Sequence, residues 1–189
     1  MTRKSIPAEH VVLLDNQGSP IGSAPKDRIH TADTPLHSAF SIFLFDGEGK
    51  MLAQQRALSK KTWPGIWSNA CCGHPLPGET HLAAAQRRLV QELGLENIVL
   101  ELALPDFRYR AEFQGIVENE ICPVFVGFCN QKPIPNPTEV AAVDWIDWNE
   151  FAKACHGKTH TRFDSFSPWS LLEGKELQEY PELDRYVGP

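Results

Sequence analysis

The sequence predicts an α+β fold, a mixed β-sheet flanked by helices. Three observations predict it. Apolar runs bounded by turn residues recur along the chain, as strands do. One segment, His81 to Leu93, carries an apolar stripe at helical spacing. Strand-like segments lie before and after that helix, which points to packed layers of both kinds.

Taken in order, Val11-Val12-Leu13-Leu14 reads as a strand and Asp15-Asn16-Gln17-Gly18 as the turn after it. Phe40 to Phe45 and Lys50 to Gln54 flank Asp46-Gly47-Glu48-Gly49, a hairpin signal. From Trp63 to Gly78 the chain is too punctuated by Pro, Gly and Trp for regular structure. In the helix, Leu82, Ala85, Leu89 and Leu93 form the stripe and Gly94 is the stop. Arg88 and Glu92, four apart, share a face. Phe107 to Phe113 and Glu120 to Phe128 read as strands, the second apolar and central. Val140 to Trp148 is another strand and Asn149 to Cys155 a short helix. Pro168-Trp169-Ser170-Leu171-Leu172 opens a last helix with Pro at an early position.

The chain has 189 residues, 42% hydrophobic and 22% charged, the balance of a globular protein with one substantial core. No repeat, low-complexity tract or linker divides it, so one domain over residues 1–189 is expected. The net charge of −6, with no long basic run, argues against nucleic acid as a partner. No stretch approaches the ~20 apolar residues that span a membrane, and no membrane partner is expected. Met1-Thr2-Arg3-Lys4-Ser5-Ile6-Pro7 has two positive charges with no apolar run behind them, so no secretory signal is expected. Five cysteines, with Cys71 and Cys72 adjacent, fit free thiols in a reducing compartment, and a cytoplasmic location follows.

Gly73 to Leu95 resembles the Nudix box, the loop-helix signature of enzymes that hydrolyse diphosphates. Gly73, Glu79, Arg87, Leu89, Glu92, Gly94 and Leu95 fall on the pattern. Arg88 and Gln91 depart from it, each where a glutamate belongs. The family's hydrolases use those carboxylates to hold divalent metal against pyrophosphate and to activate water. With a cation and an amide in their place, metal binding there weakens. The altered box is still compatible with one magnesium, shared with substrate phosphates, at Glu92, and Arg88 is expected to contact phosphate directly.

A second constellation comprises His30, His37, His74, Tyr109, Glu118, Glu120 and the pair Cys71-Cys72. Alone, each is ordinary: a single His is more often structural and a lone Cys a small buried hydrophobe. Together, three histidines and two carboxylates could fill a six-coordinate site for manganese, magnesium or zinc with one position open. If Glu118 and Glu120 lie on one strand they share a face and repel, unless a cation lies between them. Cys72, in an irregular loop before a helix N-terminus, is expected to have an exposed thiol of lowered pKa, with Cys71 the competing candidate.

Trp63-Pro64-Gly65-Ile66-Trp67-Ser68-Asn69, Cys72-Gly73-His74-Pro75, Phe107-Arg108-Tyr109-Arg110-Ala111, Gly115-Ile116-Val117-Glu118-Asn119-Glu120 and Ser167-Pro168-Trp169 all resemble type I isopentenyl diphosphate isomerases. So does His30-Thr31-Ala32-Asp33-Thr34-Pro35-Leu36-His37, and the likeness runs in order from about His10 to Trp169. The resemblance implies a Nudix-like fold and a 1,3-proton shift that turns isopentenyl into dimethylallyl diphosphate through a tertiary carbocation. It implies Cys72 and Glu120 as the two proton-transfer groups, with Tyr109 partnering Glu120. The order of the two transfers stays open. Trp169 would stabilise the cation through its indole face, although a Trp opening a helix and packing on the core is as good a reading of that residue alone.

By the same resemblance, His30, His37, His74, Glu118 and Glu120 are metal ligands. Glu92 and the backbone carbonyl of Cys72 hold a magnesium that travels with the substrate diphosphate. Lys26, Arg56, Lys60 and Arg88 bind that diphosphate, and the protein is a monomer or weak dimer. Three rival readings remain: a Nudix hydrolase of a small diphosphate, a non-catalytic binding protein on the same scaffold, and a flavin-dependent isomerase. The last is set aside because nothing reads as a flavin motif or as eight βα repeats.

Overall fold

A computed structural model describes residues 9–157 and 166–188. The segment from Met1 to Pro7, on which the secretory-signal expectation rests, lies outside these residues. In chain order the elements are β1 (His10–Leu14), β2 (Pro20–Pro25), α1 (Lys26–Ile29), β3 (His37–Ser38), β4 (Phe40–Phe45), β5 (Lys50–Arg56), β6 (Trp67–Ser68) and β7 (Cys71–Gly73). They continue with α2 (His81–Leu93), β8 (Leu100–Leu104), β9 (Arg108–Phe113), β10 (Ile116–Ile121), β11 (Val124–Phe128), β12 (Val140–Asp147), α3 (Trp148–Ala154), α4 (Pro168–Leu177) and α5 (Asp184–Val187).

Among the described residues the strands form two sheets. One has the order β2-β1-β3-β10-β9; the other runs β12-β5-β4-β11-β8, with β6 beside β5 and β7 beside β4. Each holds one parallel pair, β10 along β3 in the first and β11 along β4 in the second. The remaining pairings are antiparallel, so both sheets are mixed. Both parallel chains change sheet at the same level, β3 to β4 across Ala39 and β10 to β11 across Cys122-Pro123. Backbone bonds from Ala39 N to Ile121 O (2.9 Å) and from Ser41 N to Pro123 O (3.1 Å) lock the junction.

That junction corrects one expectation. Glu120 to Phe128 is not one strand, because Pro123 has no N–H to offer a ladder and the chain passes there between sheets. The apolar half, β11, does lie inside its sheet, between β4 and β8. The segment from Trp63 to Gly78 also holds more order than its composition suggests. Ser68 pairs with Gln54 and Cys72 with Ser41, which makes the short strands β6 and β7. The isolated runs β2, α1, β3, β8 and α5 carry no strong periodic signal and were not expected.

β4 is buried along its whole length because both faces are covered. Phe40, Ile42 and Leu44 face Ala84, Ala85, Leu89 and Leu93 of α2 in one core. Phe43 and Phe45 alternate into the second core, with Trp148 and Phe151 of α3 and Trp169 and Leu177 of α4. Helix α2 has the expected bounds. Thr80 caps it by accepting from Ala83 N (3.2 Å), and Gly94 ends it at φ 63°, a left-handed position that suits glycine. Leu82 departs from the expected stripe: it is 41% exposed, and Ala84 takes its place in the core. Helix α3 starts one residue early, since the Asp147 side chain accepts from Glu150 N (2.9 Å). Pro168 opens α4 as expected, behind the Ser167 cap.

Candidate active site at the sheet junction

A cavity of about 590 Å³ is lined by residues of both sheets, α1, α2 and α4. Three groups of side chains meet at it, and of the first group His37 is fully buried rather than part of the lining.

The first group is His30, His37, His74, Glu118 and Glu120. Register places it: His37 on β3 pairs with Glu120 on β10, and Glu118 and Glu120 are buried two apart on one strand, as alternation requires. His30 Nδ1 must donate to Lys26 O (3.1 Å) and His37 Nδ1 to Pro35 O (2.9 Å), because a carbonyl only accepts. Each ring then turns the lone pair of Nε2 inward. His30 Nε2 lies 3.1 Å from Glu118 Oε2, and His37 Nε2 lies 3.2 Å from Glu120 Oε1. None of His30 Nε2, His37 Nε2 and Glu118 Oε2 has a hydrogen-bond partner, although all are buried. His74 Nε2 sits 3.0 Å from Glu120 Oε1. Ligand atoms of His30, His37, His74 and Glu120 all fall within 4.8 Å of one another; Glu118 flanks this cluster and Glu92 is outside it.

Lone pairs facing carboxylates in a buried space require positive charge between them. Without a metal, a proton supplies it: burial opposes charging of His37, yet the Glu120 carboxylate beside it raises its pKa. Burial drives His74 the other way, down to about 3, so it stays neutral and able to ligate. Burial also opposes ionisation of Glu120, but the His37 and His74 rings beside it hold its carboxyl well below the usual range. These residues fit a divalent cation.

The second group is Cys72, Tyr109 and Trp169. Tyr109 pairs with Glu120 across β9 and β10, and its hydroxyl donates to Glu120 Oε2 at 2.7 Å. Burial and then the Glu120 charge push the phenol well up, so it remains a donor. Trp169 is both a core residue and a wall of the cavity. Its ring lies 5.9 Å from Tyr109 and 5.1 Å, edge-on, from Trp63, and its N–H donates to Ser68 Oγ (3.2 Å). The Cys72 thiol donates to Asn69 Oδ1 (3.1 Å) and lies 3.3 Å from Ser41 Oγ. Its acidity is opposite to expectation. It sits on a strand and not in the loop that leads into α2, and burial first, with Glu173 nearby, pushes it up to about 12. Cys71 lies in the apolar core and is absent from the lining. All five cysteines are free.

The third group is basic. Lys26, Arg56, Lys60 and Arg88 all reach the cavity. Arg88 is 7% exposed, ion-paired to Glu92 and 3.2 Å from Glu139. Gly73 makes room for it: a Cβ there would sit 3.0 Å from the Phe40 ring and 3.3 Å from Arg88 Cγ. Gln91 accepts from Arg87 and Arg88, at 3.3 Å each. Glu79 is held by Arg87 at 2.7 and 2.8 Å, so that Nudix-box carboxylate braces the loop from Leu76 and is not free for metal. Glu92 also accepts from Gln54 Nε2 (3.1 Å). Arg56 donates to the carbonyls of Thr62 (2.9 Å) and Trp63 (3.1 Å), which shapes the loop that carries Lys60.

Sequence reasoning missed Glu9 and Glu139, the counter-charges of this wall. Lys26 pairs with Glu9 at 2.8 Å, and Lys60 pairs with Glu139. Burial opposes ionisation of Glu9, but Lys26 holds it down at about 2. It also missed Ser41 and Glu173 beside Cys72. The spacing of four from Trp169 to Glu173 was the available signal for the latter.

The Nudix domain family matches residues 35–165. A Saccharopolyspora erythraea protein named isopentenyl-diphosphate Delta-isomerase is 50% identical over 173 residues, covering 90% of this chain and 87% of its own. The chain belongs to the isopentenyl-diphosphate Delta-isomerase family. A second member, from Clavibacter sepedonicus, is 49% identical and covers 95% of this chain and 92% of its own. Among solved structures, a Deinococcus radiodurans protein superimposes with a TM-score of 0.67 at 14% identity, covering 92% of this chain and 99% of its own, a likeness of fold. In this isomerase-family chain the Nudix helix therefore carries the Arg88–Glu92 pair where its pattern asks for a row of carboxylates.

Proposed function

We propose that the protein interconverts isopentenyl and dimethylallyl diphosphate. The observation that carries this reading is one cavity holding a half-buried thiol, a Tyr-carboxylate pair and four cationic side chains, in a chain half identical to isomerases of that name. An isolated alkene is a poor base, so a buried acid must protonate it, and a second group must take a proton from the neighbouring carbon. Glu120 with Tyr109 would serve on one side and Cys72 on the other. They come from different sheets, which lets them flank a substrate. Trp169, which lines the cavity, would exclude water and offer its aromatic face to the tertiary cation, with Trp63 packed edge-on against it. Lys26, Arg56, Lys60 and Arg88 would hold the diphosphate. Burial lowers the pKa of Lys60, and Glu139 counters that shift and favours its charged form.

His30, His37, His74, Glu118 and Glu120 would hold manganese, magnesium or zinc. Glu92 and the Cys72 carbonyl would meet a magnesium on the diphosphate. Bound metal would supply a fixed positive charge that keeps Glu120 poised and neutralises phosphate. The reading takes residues 1–189 as one cytoplasmic domain, working as a monomer or weak dimer without nucleic acid or membrane.

The test is incubation of purified protein with isopentenyl diphosphate and magnesium, with and without manganese, followed by phosphorus and proton NMR. Dimethylallyl diphosphate with its diphosphate intact is the expected product. Release of monophosphate or inorganic phosphate would make the protein a hydrolase instead.

A further inference from the structure

Two of the cations on the basic wall share an anion that the proposed chemistry does not use. Arg88 Nε donates to Glu92 Oε1 at 3.0 Å and Nη1 to Gln91 Oε1 at 3.3 Å. Its Nη2 donates to Glu92 Oε1 and, at 3.2 Å, to Glu139 Oε2. Lys60 Nζ donates to that same oxygen, Glu139 Oε2. One carboxylate oxygen thus bridges an ammonium and a guanidinium, which is what a phosphate oxygen does between two such groups. Every nitrogen of Arg88 is already engaged, so the partner that yields to an anion has to be found among these three.

Glu92 is buried and pinned by Gln54 Nε2 at 3.1 Å. Gln91 is neutral and exposed, so its loss frees no charge. Glu139 lines the cavity, and its side chain is 24% exposed. Its backbone is fixed, with N donating to Asn136 O and O accepting from Ala57 N, each at 2.9 Å, so only the side chain has to turn toward water. Burial opposes its ionisation, but Lys60 and Arg88 hold it below the usual carboxylate range, and it is an anion. We infer that the Glu139 carboxylate fills the phosphate seat between Lys60 and Arg88 in the substrate-free protein, and that diphosphate binds by exchange with it, which makes Glu139 the residue that sets affinity for diphosphate. While the seat lacks phosphate, Glu139 favours the charged form of the buried Lys60; a bound phosphate takes over that task. Affinity falls by the fraction of protein whose seat stands open. Substrate and product carry the same diphosphate, so the exchange shortens the stay of both. The inference rests on the reading of Lys60 and Arg88 as diphosphate ligands.

The test compares the parent with Glu139→Gln and Lys60→Ala, all metal-loaded. Two quantities are read: the Kd of magnesium pyrophosphate by titration calorimetry, and KM for isopentenyl diphosphate. Gln keeps the shape of Glu and removes its charge at a half-buried position, and a thermal melt checks the fold. Glu139→Gln is expected to bind pyrophosphate about tenfold more tightly and to lower KM in the same direction, the effect of opening a seat that two partly exposed ion pairs keep closed. Lys60→Ala is expected to bind it about tenfold more weakly. The sign of the Glu139→Gln effect is decisive, because a carboxylate that merely braced the wall would loosen binding when removed. Pyrophosphate bound by Glu139→Gln no more tightly than by the parent, with Lys60→Ala weakened, overturns the inference and leaves the phosphate wall standing. Pyrophosphate bound by Lys60→Ala as tightly as by the parent refutes the wall itself, and the seat with it. If the parent binds pyrophosphate but does not isomerise, the proposed function fails, and the order of the three Kd values still judges this inference.

Discussion

Cys72, Tyr109 and Glu120 were legible as residue types in motif context, but their acidities were not. Cys72 looked like an activated thiol near a helix start, and its environment instead raises the thiol. Burial is a property of the folded chain, and no spacing announces it. The proposed roles make sharp demands. Cys72→Ala and Glu120→Gln are each expected to cut kcat by roughly 10³-fold or more, since each removes a proton-transfer group; steady-state kinetics beside a circular dichroism spectrum checks that the fold survives. Lys60→Ala is expected to raise KM about tenfold with kcat little changed, because it binds the unreacting diphosphate in ground and transition states alike. A fall in kcat with KM unchanged would remove Lys60 from the phosphate wall.

Helix α2 was the most legible element. Its stripe, its Gly94 stop and its Arg88–Glu92 spacing are all local, and local patterns survive folding. The error at Leu82 arose in the first turn, where a helix end projects past the sheet that buries the rest. Gly94→Ala is expected to lower stability by about 1 kcal/mol, the cost of a Cβ at a left-handed cap, measured by urea unfolding. The strand pairs that build the metal cluster were less legible. Their histidines and carboxylates were visible one by one, but His37 meets Glu120 only through a parallel pairing of chain segments more than eighty residues apart. Chelation followed by saturating manganese or zinc is expected to raise the melting temperature by roughly 5–10 °C, because the facing lone pairs then gain their cation. A melt indifferent to every divalent ion would remove the metal from this cluster.

Across the whole molecule, the C-terminal helices bind the site to the core. Trp169 and Glu173 sit beside the cavity or its thiol, while Leu177, Leu183 and Tyr186 on the same stretch are buried. Each such apolar side chain contributes roughly 1.5–3 kcal/mol, and a domain's total stability is only about 5–15 kcal/mol. Removal of residues 167–189 is therefore expected to abolish cooperative unfolding as well as activity, which a thermal melt would detect. A truncated chain that still melts cooperatively would make α4 a dispensable cover.

The mixed architecture, the helix and the choice of side chains proposed to react follow from the amino-acid sequence. They depend on periodicity, turn residues and motif order, all of which are carried along the chain. The break at Cys122-Pro123, the counter-charges Glu9 and Glu139, and the burial of Ser41 and Glu173 became visible in the folded protein. Each depends on which distant segments come to lie together and on how much water is left between them, and contacts of that range set both the charge of a carboxyl and the partner of a hydroxyl.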